Sequence, residues 1–295
     1  MILETSIANG RVTSSDGTSI GYESFGDGPG VVLVQGAMGT TRNYHQLALA
    51  MSHKFTVHVP DRRGRGLSPR PYDAQHSIQK DVDDIRVLLE HTGAQFLFGL
   101  SSGAMIVLES LRRGLPIERA AVYEPPFYLG RMATHLVARF NTQVERERLD
   151  DALATAMRIV GLGPRILQFV PHWILRLGAA RALRVDDSRS TSYASLRELI
   201  SAMRYDFNVV SSMNQHLHDL RAVSTPVLLI GGSRSPDYLK KALVALKATL
   251  PYCECIELAG ADHSSPWNED LNGKPKLVGS ILVEFFATTQ AGKTP

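Results

Sequence analysis

One pentapeptide, Gly99-Leu100-Ser101-Ser102-Gly103, constrains this chain more than any other feature. Ahead of it runs Ala94-Gln95-Phe96-Leu97-Phe98, short and apolar, with the pattern of a buried strand. Behind it, Ala104 to Leu111 combines strong helix formers with helical spacing of apolar residues. A G-x-S-x-G between a strand and a helix predicts a turn too tight for a β-carbon at either glycine, with Ser101 thrust out at its tip. A glycine-rich turn without chemistry shares the pentapeptide alone; the flanking strand and helix favour a nucleophile.

The same alternation runs through the rest of the chain. Arg11 to Phe25 alternates apolar and polar residues around Asp16-Gly17, a hairpin signature. Strands are predicted at Val31–Val34, Phe55–Val59, Arg119–Tyr123, Val227–Ile230 and Cys253–Leu258. Between them, helices are predicted at Asn43–Ser52, Ser77–His91, Asp237–Leu250 and Leu271–Phe286. Unbroken apolar strands alternating with helices mean a parallel sheet covered on both faces. From Phe127 to Val223 the rhythm breaks, and only helical patterns remain, at 131–150, 152–160, 166–181 and 196–209. The expected division is a core of residues 1–126 and 224–295 with a helical cap, 127–223, over one edge of the sheet.

Composition narrows the classes of partner. A net charge of +3 over 295 residues calls for no oppositely charged partner, and no basic run is interleaved with aromatics, which argues against nucleic acid. Met1-Ile2-Leu3-Glu4-Thr5 lacks the basic and apolar regions of a secretory signal, and no apolar run spans a bilayer. A cytoplasmic protein with no membrane partner is expected. Cys253 and Cys255 fall two apart on one strand face and read as small buried side chains, not as a disulfide or a metal pair. No cofactor is called for. The expected partner is a small-molecule substrate, and a homo-oligomer is compatible with the sequence, which does not set oligomeric state.

A serine hydroxyl needs a base within reach and donors for the developing oxyanion. Of ten histidines, His263 in Gly260-Ala261-Asp262-His263 alone lies in a short loop directly after a core strand and C-terminal to the serine. The oxyanion donors are expected to be the backbone N–H of Ser102, which opens a helix, and that of Ala37 in Gln35-Gly36-Ala37-Met38-Gly39. Asp262 reads as a loop former, since neighbouring side chains in an extended loop diverge.

The order Gln35-Gly36-Ala37-Met38, then Asp61-Arg62-Arg63-Gly64-Arg65-Gly66-Leu67-Ser68, then Gly-Leu-Ser-Ser-Gly, then Gly-Ala-Asp-His resembles the α/β-hydrolase superfamily over nearly the whole chain outside the insertion. The resemblance implies an α/β fold with a mostly parallel eight-stranded sheet and a helical cap after strand six. The D-x-R-G-x-G-x-S stretch reads as scaffold, with glycines at special dihedrals and Arg/Asp bridges. There are two departures. Gln35 stands where the family usually has histidine, which leaves a backbone donor intact. In the family's Gly-x-x-Asp after strand seven, this chain has Gly232-Ser233-Arg234-Ser235, so a serine replaces the acid. Two carboxylates could substitute: Glu124, in Tyr123-Glu124-Pro125-Pro126 at the end of strand six, and Asp237, two residues beyond the usual position. Glu124 is the favoured acid and Asp237, with a ready role at a helix N-terminus, the alternative.

The expected function is a serine hydrolase cleaving an ester or lactone of a small, largely apolar molecule. Its rivals are carbon–carbon or thioester hydrolysis on the same residues, a cofactor-free lyase, isomerase or cyclase, and a non-catalytic ligand-binding protein on the same scaffold.

Overall fold

The computed structural model describes residues 8–130, 132–161, 169–188, 191 and 193–288. Eight strands form one sheet in the order β1-β2-β4-β3-β5-β6-β7-β8. They are β1 (Ala8–Thr13), β2 (Ser19–Phe25), β3 (Gly30–Val34), β4 (Thr56–Pro60), β5 (Phe96–Leu100), β6 (Arg119–Tyr123), β7 (Val227–Gly232) and β8 (Cys253–Leu258). β1 and β2 form the expected hairpin, and β2 is also antiparallel to β4; every other pairing is parallel. The hairpin turns where Asp16 Oδ1 accepts from the backbone N–H of Thr18 and Gly17 takes φ 79°.

Helices cover both faces. On one lie α2 (Ile78–Thr92), α3 (Ser102–Arg112) and α8 (Asp237–Thr249), packing Val82, Ile106 and Leu246 against Leu97, Val122 and Leu229. On the other, α1 (His45–Met51) and α9 (Pro275–Ala287) bring Leu47, Met51, Leu282 and Phe286 onto Leu33, Phe98 and Ile230. Each such side chain contributes about 1.5–3 kcal/mol by leaving water. α9 begins later than Leu271 because Lys274 precedes a proline and is held out of helical dihedrals, while Pro275, lacking an N–H, suits the first helical position.

Between β6 and β7 lie α4 (Thr134–Glu145), α5 (Leu149–Val160), α6 (His172–Asp187) and α7 (Leu196–Met213), with no strand among the described residues. Phe140, Ala156, Leu183, Ile200, Met203 and Phe207 make a separate small core there. The break expected between helices at 131–150 and 152–160 comes earlier, at Glu147, which takes φ 57°. The helix expected from Ile166 falls partly outside the described residues; within them α6 starts at His172 and continues six residues past Arg181. α7 is rooted in both parts: Met203 and Phe207 join the small core, and Val209, Val210 and Met213 join the core under the sheet.

The cysteines require a correction. Cys253 is half-buried and Cys255 exposed, because β8 pairs only with β7 and forms the sheet edge. Both are free thiols. Among the described residues no helix is long and apolar enough to cross a membrane, and no group of three or more His, Cys, Asp or Glu side chains could hold a metal ion.

Candidate active site

The carboxyl ends of β5, β6 and β7 stand in step, with Leu100 opposite Tyr123 and Tyr123 opposite Ile230. The chain leaves each strand at the same edge, and that edge carries the site. After β5, Ser101 adopts φ 55°, ψ −121°, a conformation that costs a non-glycine residue of order 1–3 kcal/mol. It is held there by its N–H, which donates to Tyr123 O at 2.9 Å, and by its carbonyl, which accepts the N–H of Met105 to start α3. Gly103 is demanded by sterics. A β-carbon there would lie 2.3 Å from Val34 O and 2.5 Å from Gln35 O, both backbone atoms of the neighbouring strand end.

His263 follows β8 in a loop stitched from within. Asp262 Oδ1 accepts from the backbone N–H and hydroxyl of Ser264, at 3.0 and 2.7 Å, and Asp262 N–H donates to Ser265 Oγ at 2.9 Å. Tyr123 Oη donates to Asp262 O at 2.8 Å, and burial beside the charge of Glu124 raises its pKa, keeping the phenol protonated. Asp262 is thus a loop former, as its neighbourhood to His263 suggests.

Glu124, the residue immediately after β6, brings its carboxylate to the imidazole. His263 Nδ1 bonds Glu124 Oε2 at 2.6 Å, while Glu124 Oε1 accepts the N–H of Gly232 at 2.6 Å. Glu124 is 1% exposed and itself takes φ 48°. With both oxygens engaged and the backbone in the left-handed region, its direction is fixed, and the bond to Nδ1 leaves Nε2 as the nitrogen available to a substrate or a hydroxyl. Asp237 stands exposed in the first turn of α8, and the imidazole nitrogen it could serve is already taken by Glu124. Ser235 is buried on the loop between them.

Ser101, Ser102, Ala37 and His263 all line one cavity of about 220 Å³. Gly36 lets the loop after β3 lie against the serine: a β-carbon there would sit 3.0 Å from Ser101 Cβ and 3.1 Å from Leu100 O. Met38, two residues on, is the third non-glycine residue of the site at positive φ, 62°. Ser102 is the first residue of α3, so its N–H has no partner within the helix and carries the positive end of the helix dipole. Much of the rest of the lining is apolar, with Met157 and Val160 from α5 and Met203, Phe207 and Val210 from α7.

Three residues of the site escape a reading by motif. Asp206, in α7, lines the cavity and accepts from Ser102 Oγ at 2.6 Å, Arg62 Nη1 at 2.6 Å and Arg65 Nη2 at 2.9 Å. Burial opposes its charge, but Arg65 and Arg62 outweigh that and hold its carboxyl below the usual range. Arg62 and Arg65 occupy the two open positions flanking the arginine of D-x-R-G-x-G-x-S. The motif's own residues are scaffold: Arg63 pairs with Asp84 at 2.6 Å and Asp16 at 2.8 Å, and Gly64 and Gly66 take positive φ.

Comparison with known proteins bears on the fold and the family. A solved α/β hydrolase of Sphaerobacter thermophilus has a TM-score of 0.75 and 28% identity, covering 94% of this chain and all of its own. The N-formylmaleamate deformylase of Pseudomonas putida is 29% identical over 286 residues, 95% of this chain and 98% of its own. The 2-(acetamidomethylene)succinate hydrolase of Mesorhizobium japonicum is 24% identical over 242 residues, covering 81% of this chain and 82% of its own. The model of the alpha/beta hydrolase family matches residues 31–271. In strand order, nucleophile elbow and sequence, the chain belongs to the alpha/beta hydrolase family.

Proposed function

We propose that this hydrolase cleaves an ester or lactone bond of a small, largely apolar substrate through an acyl-enzyme on Ser101. The observation that carries the reading is the Glu124–His263 bond at 2.6 Å, made beside the same apolar cavity into which the strained Ser101 opens. His263 takes the proton from Ser101 Oγ as that oxygen attacks the substrate carbonyl. Glu124 holds the proton on Nδ1 and stabilises the imidazolium that results. The N–H groups of Ala37 and Ser102 receive the oxyanion, each such donor contributing about 3–4 kcal/mol at the transition state. The imidazolium protonates the leaving alcohol. Water, deprotonated by His263, then releases the acid and restores the serine.

Size and lining set the substrate class. Benzene fits an apolar cavity of about 150 Å³; by that scale the 220 Å³ here holds roughly nine non-hydrogen atoms. Among the described residues no lysine or arginine belongs to the lining, and Asp206 supplies a carboxylate already bonded to two arginines, which favours an uncharged acyl group over an anionic one. The insertion 127–223 acts as a cap that sets the choice of acyl group, because its helices α5 and α7 supply much of the apolar wall. A second reading, amide cleavage on the same residues, is supported by the deformylase similar over 95% of this chain.

The test uses a fluorophosphonate probe and a set of p-nitrophenyl esters and anilides with uncharged acyl chains of two to ten carbons. Labelling at Ser101, and turnover of short esters that is lost in Ser101→Ala, are expected. Undiminished turnover by Ser101→Ala would overturn the reading. Faster cleavage of anilides than of the matching esters would move it to amides. A cavity that binds apolar ligands with no labelling at all would make the chain a binding protein.

A further inference from the structure

We infer that Asp206, on the cap helix α7, is a positioning residue for the oxyanion hole. This deepens the serine-hydrolase reading and rests on it. The cap would then contribute to the chemistry as well as to the shape of the cavity.

Three buried groups tie α7 to both candidate donors. On one side, Asp206 Oδ1 accepts from Ser102 Oγ at 2.6 Å, fixing the first residue of α3, whose N–H is one donor. On the other, Arg65 bonds Asp206 Oδ2 at 2.9 Å and uses its Nη1 to donate to Gly36 O at 3.1 Å and Gly39 O at 3.2 Å. Arg62 Nη1 adds Ser102 Oγ at 3.1 Å and Gln35 O at 3.3 Å to its bond with Asp206. Gly36 C=O and Ala37 N–H share one planar trans peptide, so the two point in opposite directions. Turning Gly36 O toward Arg65 therefore turns Ala37 N–H away from it, and Ala37 lines the cavity. Asp206 is the carboxylate that holds both guanidiniums in this arrangement. Arg65 is fully buried, with Asp206 as its ion-pair partner among the described residues. Without that partner its fork would have only carbonyls to orient it.

The arrangement predicts a selective defect. Asp206→Asn should lower kcat/KM for a short p-nitrophenyl ester by about 10- to 100-fold, short of the roughly 100- to 1,000-fold loss on removing a donor outright. KM should change less than about threefold, since the apolar wall is untouched. A boronic acid of matching size, which forms a tetrahedral adduct with a serine, should lose affinity in parallel with kcat/KM. A cavity-sized aromatic hydrocarbon used as a competitive inhibitor should keep its affinity. A residue that only stabilised the fold would lower the melting temperature and leave the boronate-to-hydrocarbon ratio unchanged.

Ser102→Ala is the second variant, because it cuts the link to Asp206 and leaves the Asp206–Arg62–Arg65 charges paired. It should move the boronate ratio in the same direction by a smaller factor, and if Asp206→Asn does not fold it decides alone. Folded variants with kcat/KM and boronate affinity within twofold of the parent would overturn the inference. So would a rise in KM with boronate affinity unchanged, which would make Asp206 a substrate contact. If the parent protein itself neither turns over esters nor binds the boronate, the hydrolase reading fails and the inference falls with it.

Discussion

Glu124 reaches His263 across 139 positions of chain with a 2.6 Å bond, and it does so from the strand beside the one that leads to Ser101. In the family pattern the acid follows strand seven. Here the loop after β7 carries buried Ser235, and the carboxylate bonded to the imidazole stands one strand inward, at the end of β6. The geometry survives because Glu124 takes φ 48°, and its second oxygen is anchored on the N–H of Gly232, at the end of β7.

Glu124→Gln should therefore keep the fold and lower kcat by about 10³- to 10⁴-fold, since an amide carries no charge for the imidazolium and can select the wrong tautomer. Asp237→Asn should change kcat by less than twofold. Steady-state kinetics on the two variants decides the matter: a dead Asp237→Asn beside a mild Glu124→Gln would transfer the acid's role to α8.

The cap wall should be tunable. Met157 of α5 lines the cavity and is only half-buried, so Met157→Ala enlarges the site at small cost to the fold. The kcat/KM ratio of an eight-carbon over a two-carbon ester should rise about tenfold. Ala156→Leu, at a fully buried neighbour, should lower it. An unchanged chain-length ranking in both variants would remove the cap from substrate choice.

His58 gives the fold an acid limit. Burial, with a smaller contribution from the charge of His91, lowers its pKa to about 4 from the ordinary 6.5, and Ser24 Oγ pairs with its Nδ1 at 2.8 Å. The unfolded chain binds this proton first, so the stability is fully present above pH 6.5 and is lost as pH falls from 6.5 toward 4. The loss is on the order of 2–3 kcal/mol. Urea midpoints at pH 7, 5 and 4 should fall less steeply in His58→Gln than in the parent; parallel declines would contradict the assignment.

Gly103→Ala tests the elbow itself. The added methyl meets two backbone carbonyls that cannot withdraw without shifting β3 against α3. A loss of about 1–3 kcal/mol or more is expected, read as a melting temperature lower by roughly 3–10 °C. A neutral substitution would mean that the turn is looser than its distances imply.

Much of this architecture could be read from the chain because it is written locally. Apolar runs such as Val31–Val34 and Val227–Ile230 have no reading but buried strands, and the glycines around Ser101 dictate their turn. A serine at 235, where the family resemblance puts a carboxylate, leaves Glu124 and Asp237 as the two candidates, and the bond from Glu124 to His263 is what the folded chain adds. The Asp206 network was not legible, for Arg62 and Asp206 lie 144 residues apart and nothing local pairs them. One signal did exist. Asp206 interrupts the stripe Met203, Phe207, Val210 on one face of α7, and a carboxylate on an apolar helix face needs a buried cation. The exposure of Cys255 was hidden for a different reason: a strand's own residues do not say whether it is an edge.

The position of His263 after the last strand has a consequence for how the protein is made. On the proposed mechanism, oxyanion loop, serine and acid are all present once Glu124 has been synthesised, but the base arrives only 139 residues later. By then the whole helical insertion and the final two strands have been synthesised. A growing chain thus carries an unactivated serine throughout its synthesis, and an abandoned fragment ending anywhere before β8 has no base to turn it on. On that mechanism activity would begin only with a finished sheet, after the whole helical insertion has been made.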